Sequence, residues 1–338
     1  MKKDKTQKKT KILVIGGGTG TFTILSGLKK YPQLDLSVIV SMMDDGGSNR
    51  VIRDEFGLLP TSDVRQCIVA LSDEKPGDLL RKLFTYRYNA GTGISGMTFG
   101  NLFMAALADI YKDQEQAIQK TCEFLDVKGK IIPVTFDKTH LVARYENGKQ
   151  VMGESTIDDP DDELAKYRIV ELEVFPECTP NPTAIKQILE TDYIIFGPGD
   201  LYTSILPNIL IPGIAEAVRR SKAKKMFVVN LMTKYGQTNK FKSSDFVSEL
   251  EKYVGKGVIN YSLVNKSKEF PEGILDRYKL EKAKPVADDL KDTKLMKVIR
   301  DDFISGEVYE KPSSDKLKRS LIRHDPDKLA KAIVKIVV

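Results

Sequence analysis

The chain has no tryptophan, two histidines and only three cysteines, Cys67, Cys122 and Cys178, among 338 residues. Two histidines and no CxxC pair leave a zinc site without ligands, and three widely spaced thiols do not make a disulfide framework. Buried, reduced thiols are expected. Long apolar runs are also missing. None approaches the roughly 20 residues that span a bilayer, and the N-terminus lacks the apolar core of a signal peptide. The expectation is no membrane insertion and a cytoplasmic location. Spread positive charge is the third absence. The formal net charge is +6 with a pI near 8.9, yet residues 1–11, MKKDKTQKKTK, set six lysines against one aspartate. The body is therefore close to neutral. Residues 1–10 read as a basic disordered tail without aromatics, and nucleic acid is not expected as a partner.

What is present is an alternation of strand and helix patterns. KILVIGG is apolar throughout, as in a parallel strand buried on both faces. A helical stretch ending near Pro32 follows, and then the strand of LDLSVIVSMMDDGGS, which makes a βαβ unit of residues 12–45. Helical spacing dominates up to about residue 125. From about 130 to 175 the chain becomes β-branched, with KIIPVTF, THLVARYENGKQVMGEST and YRIVELEVFP. Asn147-Gly148 is a hairpin signal there. This segment reads as an antiparallel β excursion. Parallel strand patterns return with YIIFGPGD, KKMFVVNLMT and INYSLVN, separated by helices, and DPDKLAKAIVKIV closes the chain as a helix. The fold class expected is α/β, a Rossmann-like doubly wound and mostly parallel sheet, with residues 11–338 as one domain.

The candidate site follows from loops that leave the strands at one edge. Gly16, Gly17, Gly18, Thr19 and Gly20 follow the first strand. They match G-x-G-x-x-G at Gly16 and Gly18 and miss it at Thr21, and no Gly-Lys-Ser/Thr of a Walker loop follows. Backbone N–H groups and a helix N-terminus can still face an anion there. A turn alone needs fewer glycines. After the second strand come Asp44, Asp45, Gly46, Gly47 and Ser48, where a carboxylate can hold ribose hydroxyls, organise Mg²⁺ or act as a general base. Asp44 and Asp45 are the catalytic candidates if any reaction occurs, and Asp45 the metal candidate if Mg²⁺ is used. FGPGDLYTSILPN supplies Gly197, Gly199, Asp200, Tyr202 and Ser204, and VNLMTKYGQT supplies Asn230 and Thr233. GISGMTFGN places Gly100 and Asn101 ahead of a helix, either as a ligand loop or as a packed helix entry. Arg323 and His324 precede the last helix, either as a cap or, through the arginine, as a grip on a diphosphate.

Taken together, GGGTG, DDGGS, GISGMTFGNL, GPGDLYTSILPNILIPGIAEA, VVNLMTKYGQT and LIRHDPDKLA resemble the gluconeogenesis-factor (YvcK-type) branch of the CofD-like superfamily. The resemblance runs from about residue 11 to the C-terminus. It implies a Rossmann-like protein of the bacterial cytoplasm that binds uridine-diphosphate amino sugars and is linked to gluconeogenic growth, cell shape and peptidoglycan synthesis, with no established reaction. The related branch is 2-phospho-L-lactate transferase, which passes phospholactate from a guanosine diphosphate-type donor to a deazaflavin with Mg²⁺. In the first branch, Gly16–Gly20 would take the diphosphate and Asp44 or Asp45 the ribose or a metal. The loops at 197–204 and 230–233 would take the sugar, and Arg323 would close over the phosphates, with Gly46, Ser48 and Asn101 completing the binding set. The chain departs from the usual pattern at Leu59–Asp63, LPTSD in place of LPPGD, and at Gly96-Met97-Thr98, where the family usually reads GHS. A nucleotide sugar or other nucleoside diphosphate conjugate is the expected partner, and a homo-oligomer the expected assembly.

Overall fold

A computed structural model describes residues 8–72, 79–307 and 320–338. The reading of a basic tail falls mostly on residues 1–7, outside the described residues; Thr10 already belongs to the first strand. β1 (Thr10–Ile15), β2 (Leu34–Val40) and β3 (Lys130–Pro133) run parallel and successively outward. A small antiparallel sheet of β4 (His140–Tyr145), β5 (Gln150–Met152) and β6 (Ile169–Phe175) follows. The chain then returns beside β1 as β7 (Tyr193–Phe196) and continues as β8 (Lys224–Val228), β9 (Tyr261–Asn265) and β10 (Lys297–Asp301).

The order is β10-β9-β8-β7-β1-β2-β3, with every pairing in this sheet parallel. Strand order therefore reverses between β1 and β7, and the crevice outside their carboxyl ends is where such a sheet takes its ligand. Period-two alternation divides β1 between two cores. Leu13 and Ile15 pack on one face with Phe196, Phe227 and Phe246, while Ile12 and Val14 pack on the other with Ile24, Ile68 and Ile333.

KIIPVTF differs from the sequence reading. Its strand β3 joins the parallel sheet beside β2 and is not part of the antiparallel excursion, which is confined to β4–β6. Ile131 and Ile132 face opposite cores, a pattern that a two-faced parallel sheet requires. β3 is the edge strand, so the N–H that Pro133 lacks is not needed by a neighbour. The hairpin at Asn147-Gly148 forms between β4 and β5, with Gly148 at φ +82°. GEST does not extend that hairpin; after Gly153 a short helix, Glu154–Asp158, turns back toward the main sheet. All three cysteines are free thiols, and burial raises their pKa values, Cys122 to about 12. Among the described residues no single helix is long and apolar enough to cross a membrane.

Candidate functional site

Outside the carboxyl ends of β1 and β7 lies a cavity of about 750 Å³. Three helices begin on its wall: Gly18–Leu28 after β1, Gly47–Phe56 after β2, and Ser62–Leu71. In none of the three does the side chain of the N-cap residue itself hydrogen-bond the first turn. A helix N-terminus presents N–H groups that the helix itself does not pair and carries a partial positive field, suited to an anion. Gly18 allows the entry turn, at φ +64°. Gly20 has a different reason. A Cβ on it would stand 2.1 Å from the Pro198 carbonyl oxygen, so its absence lets the first helix meet the loop after β7. The fourth glycine, one residue early for a dinucleotide fingerprint, seals the switch point.

Of the residues expected from sequence, Gly17, Gly18, Thr19, Gly20, Asp44, Gly46, Gly199, Asp200, Ser204, Asn230, Thr233 and Arg323 line this cavity. Gly16 and Gly197 do not; they sit beneath it, with Gly197 N hydrogen-bonded to the Ile15 carbonyl at 3.1 Å. Tyr202 is also off the wall. Its ring is 1% exposed, packs edge-on against Phe241, and burial drives its hydroxyl pKa far up. Ser48 is the second residue of the helix Gly47–Phe56, and its side chain lies outside what the structure describes.

The two neighbouring aspartates separate in role. Asp44 lines the cavity, its Oδ1 accepting from Gly46 N at 2.9 Å. Asp45 is buried away from it and accepts from Ser155 N at 2.8 Å, with Arg53 at 3.6 Å. Asp45 therefore anchors the helix Glu154–Asp158 and is not placed to ligate Mg²⁺ in the cavity. Asn101 likewise acts behind the wall. Arg65 Nε donates to Asn101 Oδ1 at 3.0 Å, Asn101 Nδ2 to Ser62 Oγ at 3.2 Å, and Ser62 Oγ to Asn49 Oδ1 at 2.8 Å. This chain fixes Arg65 at the cavity. Ser62, from the unusual LPTSD, is part of it. Thr98, from the unusual GMT, caps the helix Phe99–Tyr111 by accepting from Asn101 N. Gly100 is a packed helix entry, since a Cβ there would lie 2.7 Å from the Phe84 carbonyl oxygen, whereas Gly96 and Met97 reach the cavity.

Several wall residues were not singled out from sequence. Glu154 and Asp158 arrive from the small-sheet region, Asp63 from LPTSD, and Lys234 from VNLMTKYGQT. Lys234 Nζ donates to Asp158 Oδ1 at 2.6 Å and Asp200 Oδ2 at 2.8 Å. Burial acts to pull Lys234 down, but these two carboxylates outweigh it and its pKa is raised. Burial pushes Asp158 up, and Lys234 with hydrogen bonds from Thr203 and Gln237 more than reverses this. Glu154 is driven well above the ordinary carboxylate range by burial, with Asp44, Asp158 and Asp63 adding repulsion against a smaller pull from Lys234. Lys234 was next to a chosen residue, Thr233. Glu154 had no local signal, because it follows a hairpin by one turn residue.

Among the described residues no group of three or more His, Cys, Asp or Glu side chains is arranged to hold a metal by itself. Mg²⁺ needs less, since one or two carboxylates and a ligand's phosphates suffice. Asp44 and Asp63 are carboxylates of this kind on the wall, and Asp63 Oδ2 lies 2.1 Å from where a Cβ on Gly17 would stand. Their negative charge beside an anion-directed loop fits a divalent cation brought in with a diphosphate.

Residues 12–304 match the family model of 2-phospho-L-lactate transferase CofD. The chain is 39% identical over 333 residues to the gluconeogenesis factor of Bacillus subtilis, covering 98% of this chain and 99% of that one. It is 35% identical to the gluconeogenesis factor of Halalkalibacterium halodurans, covering 97% and 96%. A crystal structure of protein BH3568 from Bacillus halodurans superposes with a TM-score of 0.85 at 34% identity, over 97% of this chain and all of that one.

Proposed function

The chain belongs to the CofD family, in the branch of the gluconeogenesis factors, and from that premise we propose that it binds a nucleotide sugar and acts as a regulator. The observation that carries the reading is the convergence of three helix N-termini on one cavity, with Arg65 and Arg323 on the same wall. Helix N–H donors and guanidinium groups suit a diphosphate. The diphosphate lies along Gly17–Gly20, Asp44 takes ribose hydroxyls or a Mg²⁺ carried with the phosphates, and the polar groups of 199–204 and 230–233 take the sugar. A uridine diphosphate amino sugar is the ligand class, and signalling from cell-wall precursor supply to cell shape and growth on gluconeogenic carbon is the role. The protein works in the cytoplasm as a homo-oligomer.

Calorimetric titration of the full chain with UDP-N-acetylglucosamine, UDP-glucose, GDP and NADH, each with and without Mg²⁺, tests this. Micromolar binding of the UDP-sugars and none of NADH is expected; absence of UDP-sugar binding overturns it. The carboxylates Asp44 and Asp63 favour a second reading, transfer of phospholactate from a guanosine diphosphate-type donor to a deazaflavin, in which Mg²⁺ would neutralise the donor. Among the described residues only Tyr235 and Tyr278 bring aromatic rings to the cavity, little for stacking a flat deazaflavin. Turnover of such a donor with deazaflavin and Mg²⁺ would reverse the order of the two readings.

A further inference from the structure

Beyond the phosphate-directed loops, two buried hydrogen-bond acceptors on residues of the cavity wall have no donor among the described residues. Asn230 Nδ2 donates to the Gly199 carbonyl at 2.9 Å. That bond fixes which end of the amide is oxygen. Asn230 Oδ1 is buried and meets no donor among the described residues. His324 is 7% exposed, and its ring hydrogen-bonds the Val229 carbonyl. Its Nε2 is the ring nitrogen without a partner among the described residues, so the proton belongs on Nδ1 and Nε2 bears a lone pair. Burial keeps this imidazole neutral, lowering its pKa to about 4 against the pull of the Val229 carbonyl. Both residues line the cavity.

The pair is held in place from behind. Val229 joins the two, since it binds His324 through its carbonyl and precedes Asn230 in the chain. Tyr278 Oη accepts from Leu321 N at 3.0 Å and Ile322 N at 3.1 Å, which fixes the approach to His324. Leu231, Ile304 and Ile322 pack with Tyr278 in a satellite core. Buried acceptors are ordinarily satisfied, and two unsatisfied ones on a cavity wall call for a donor from outside the chain.

We propose that Asn230 Oδ1 and His324 Nε2 form an acceptor pair that reads two hydroxyl groups on a sugar ring of the bound ligand. A phosphate ester dianion has no proton to offer them, so these two atoms select for donors and the phosphates are left to the guanidinium groups and the loop Gly17–Gly20. The inference rests on the nucleotide-sugar reading above and adds a specificity determinant to it, with His324 as its central residue.

The test is calorimetry on the full chain with UDP, UDP-glucose, 2′-deoxy-UDP-glucose, and UDP-glucose analogues with single pyranose hydroxyls replaced by fluorine, which donates no hydrogen bond. The 2′-deoxy compound reports on the ribose and the fluoro compounds on the hexose. Loss of the hydroxyl that His324 reads should weaken wild-type binding about tenfold. His324→Phe should weaken UDP-glucose to the same extent and bind that analogue no worse than UDP-glucose. His324→Gln, which keeps an acceptor, should restore the discrimination. An unchanged urea midpoint of both variants shows that they fold; His324→Phe leaves UDP binding unchanged if the hydroxyl it reads belongs to the hexose and weakens it about tenfold if the hydroxyl belongs to the ribose. If wild type binds UDP-glucose but tolerates every hydroxyl replacement, or if His324→Phe still discriminates, the acceptor pair is overturned and the nucleotide-sugar reading stands. If wild type binds neither UDP nor UDP-glucose, both fall.

Discussion

Two walls of the cavity are built on opposite principles. At the switch point, Gly17–Gly20 and Pro198–Gly199 offer backbone, brought so close that a methyl group at Gly20 has no room. Around the helix Glu154–Asp158, the wall consists of carboxylates whose charge is balanced through one ammonium, Lys234. A backbone wall is specified by shape and is insensitive to pH. A charged wall is specified by its balance, and its state changes with every proton or cation gained. The comparison teaches that one site can bind an anion through fixed dipoles on one side and adjust the fit through titratable side chains on the other.

The largest effect should come from disturbing the shape. Gly20→Ala drives a Cβ into the Pro198 carbonyl, and overpacking of this kind is expected to cost about 3 kcal/mol. Urea denaturation should show the loss, and calorimetry the disappearance of nucleotide binding. A variant of unchanged midpoint would show that the two loops move apart freely, and the backbone wall would lose its distinction.

Next comes the charge balance. Lys234→Met leaves Asp158 and Asp200 facing each other without their shared cation, in surroundings where each side chain is about one-third exposed or less. Allowing for partial screening, the expected loss is about 2 kcal/mol at pH 7. The folded-state pKa of Asp158 is depressed, so its contribution is present above the ordinary carboxylate range and is lost as pH falls through the depressed value. Wild type and variant should therefore converge in stability on acidification. A gap that stays constant with pH would show that Lys234 acts by packing and not by charge.

The smallest effect sharpens the comparison because it is a gain. Glu154 has a folded-state pKa raised by burial and by Asp44, Asp158 and Asp63. Burying it costs stability at neutral and higher pH, and the cost shrinks as pH falls below the raised value and is gone only below the ordinary carboxylate value. Glu154→Gln is expected to stabilise the protein by about 1 kcal/mol at pH 8, with no gain near the ordinary carboxylate range. Urea midpoints across pH measure this. A loss of stability at pH 8 would mean that the carboxylate is compensated, and the charged wall would be as fixed as the backbone one.

Much of this was legible in the residues. The apolar run of β1, the helix after it and the loops at the strand ends have local causes, in burial on both faces and in glycine content, and most of the site residues expected from them line the cavity. Asp44 and Asp45 were indistinguishable as neighbours in a turn; the contact with Ser155 N, 110 positions away, separates them. Tyr202 lies in a motif full of polar residues, and only packing against Phe241 removes it from the site. KIIP looked like its β-rich neighbours because strand composition does not reveal which strand will be its partner.

By itself, then, the sequence determined the alternation of strands and helices, the edge at which the ligand loops emerge, and the backbone that faces an anion. These depend on periodicity and on the absence of side chains, which act over a few residues. The tertiary structure alone decided that Glu154 and Asp158 cross from the small sheet into the cavity, that Lys234 joins two carboxylates, and that Asn230 and His324 line the same cavity. Such choices depend on burial and charge shared among groups scores of residues apart, and no local pattern encodes them.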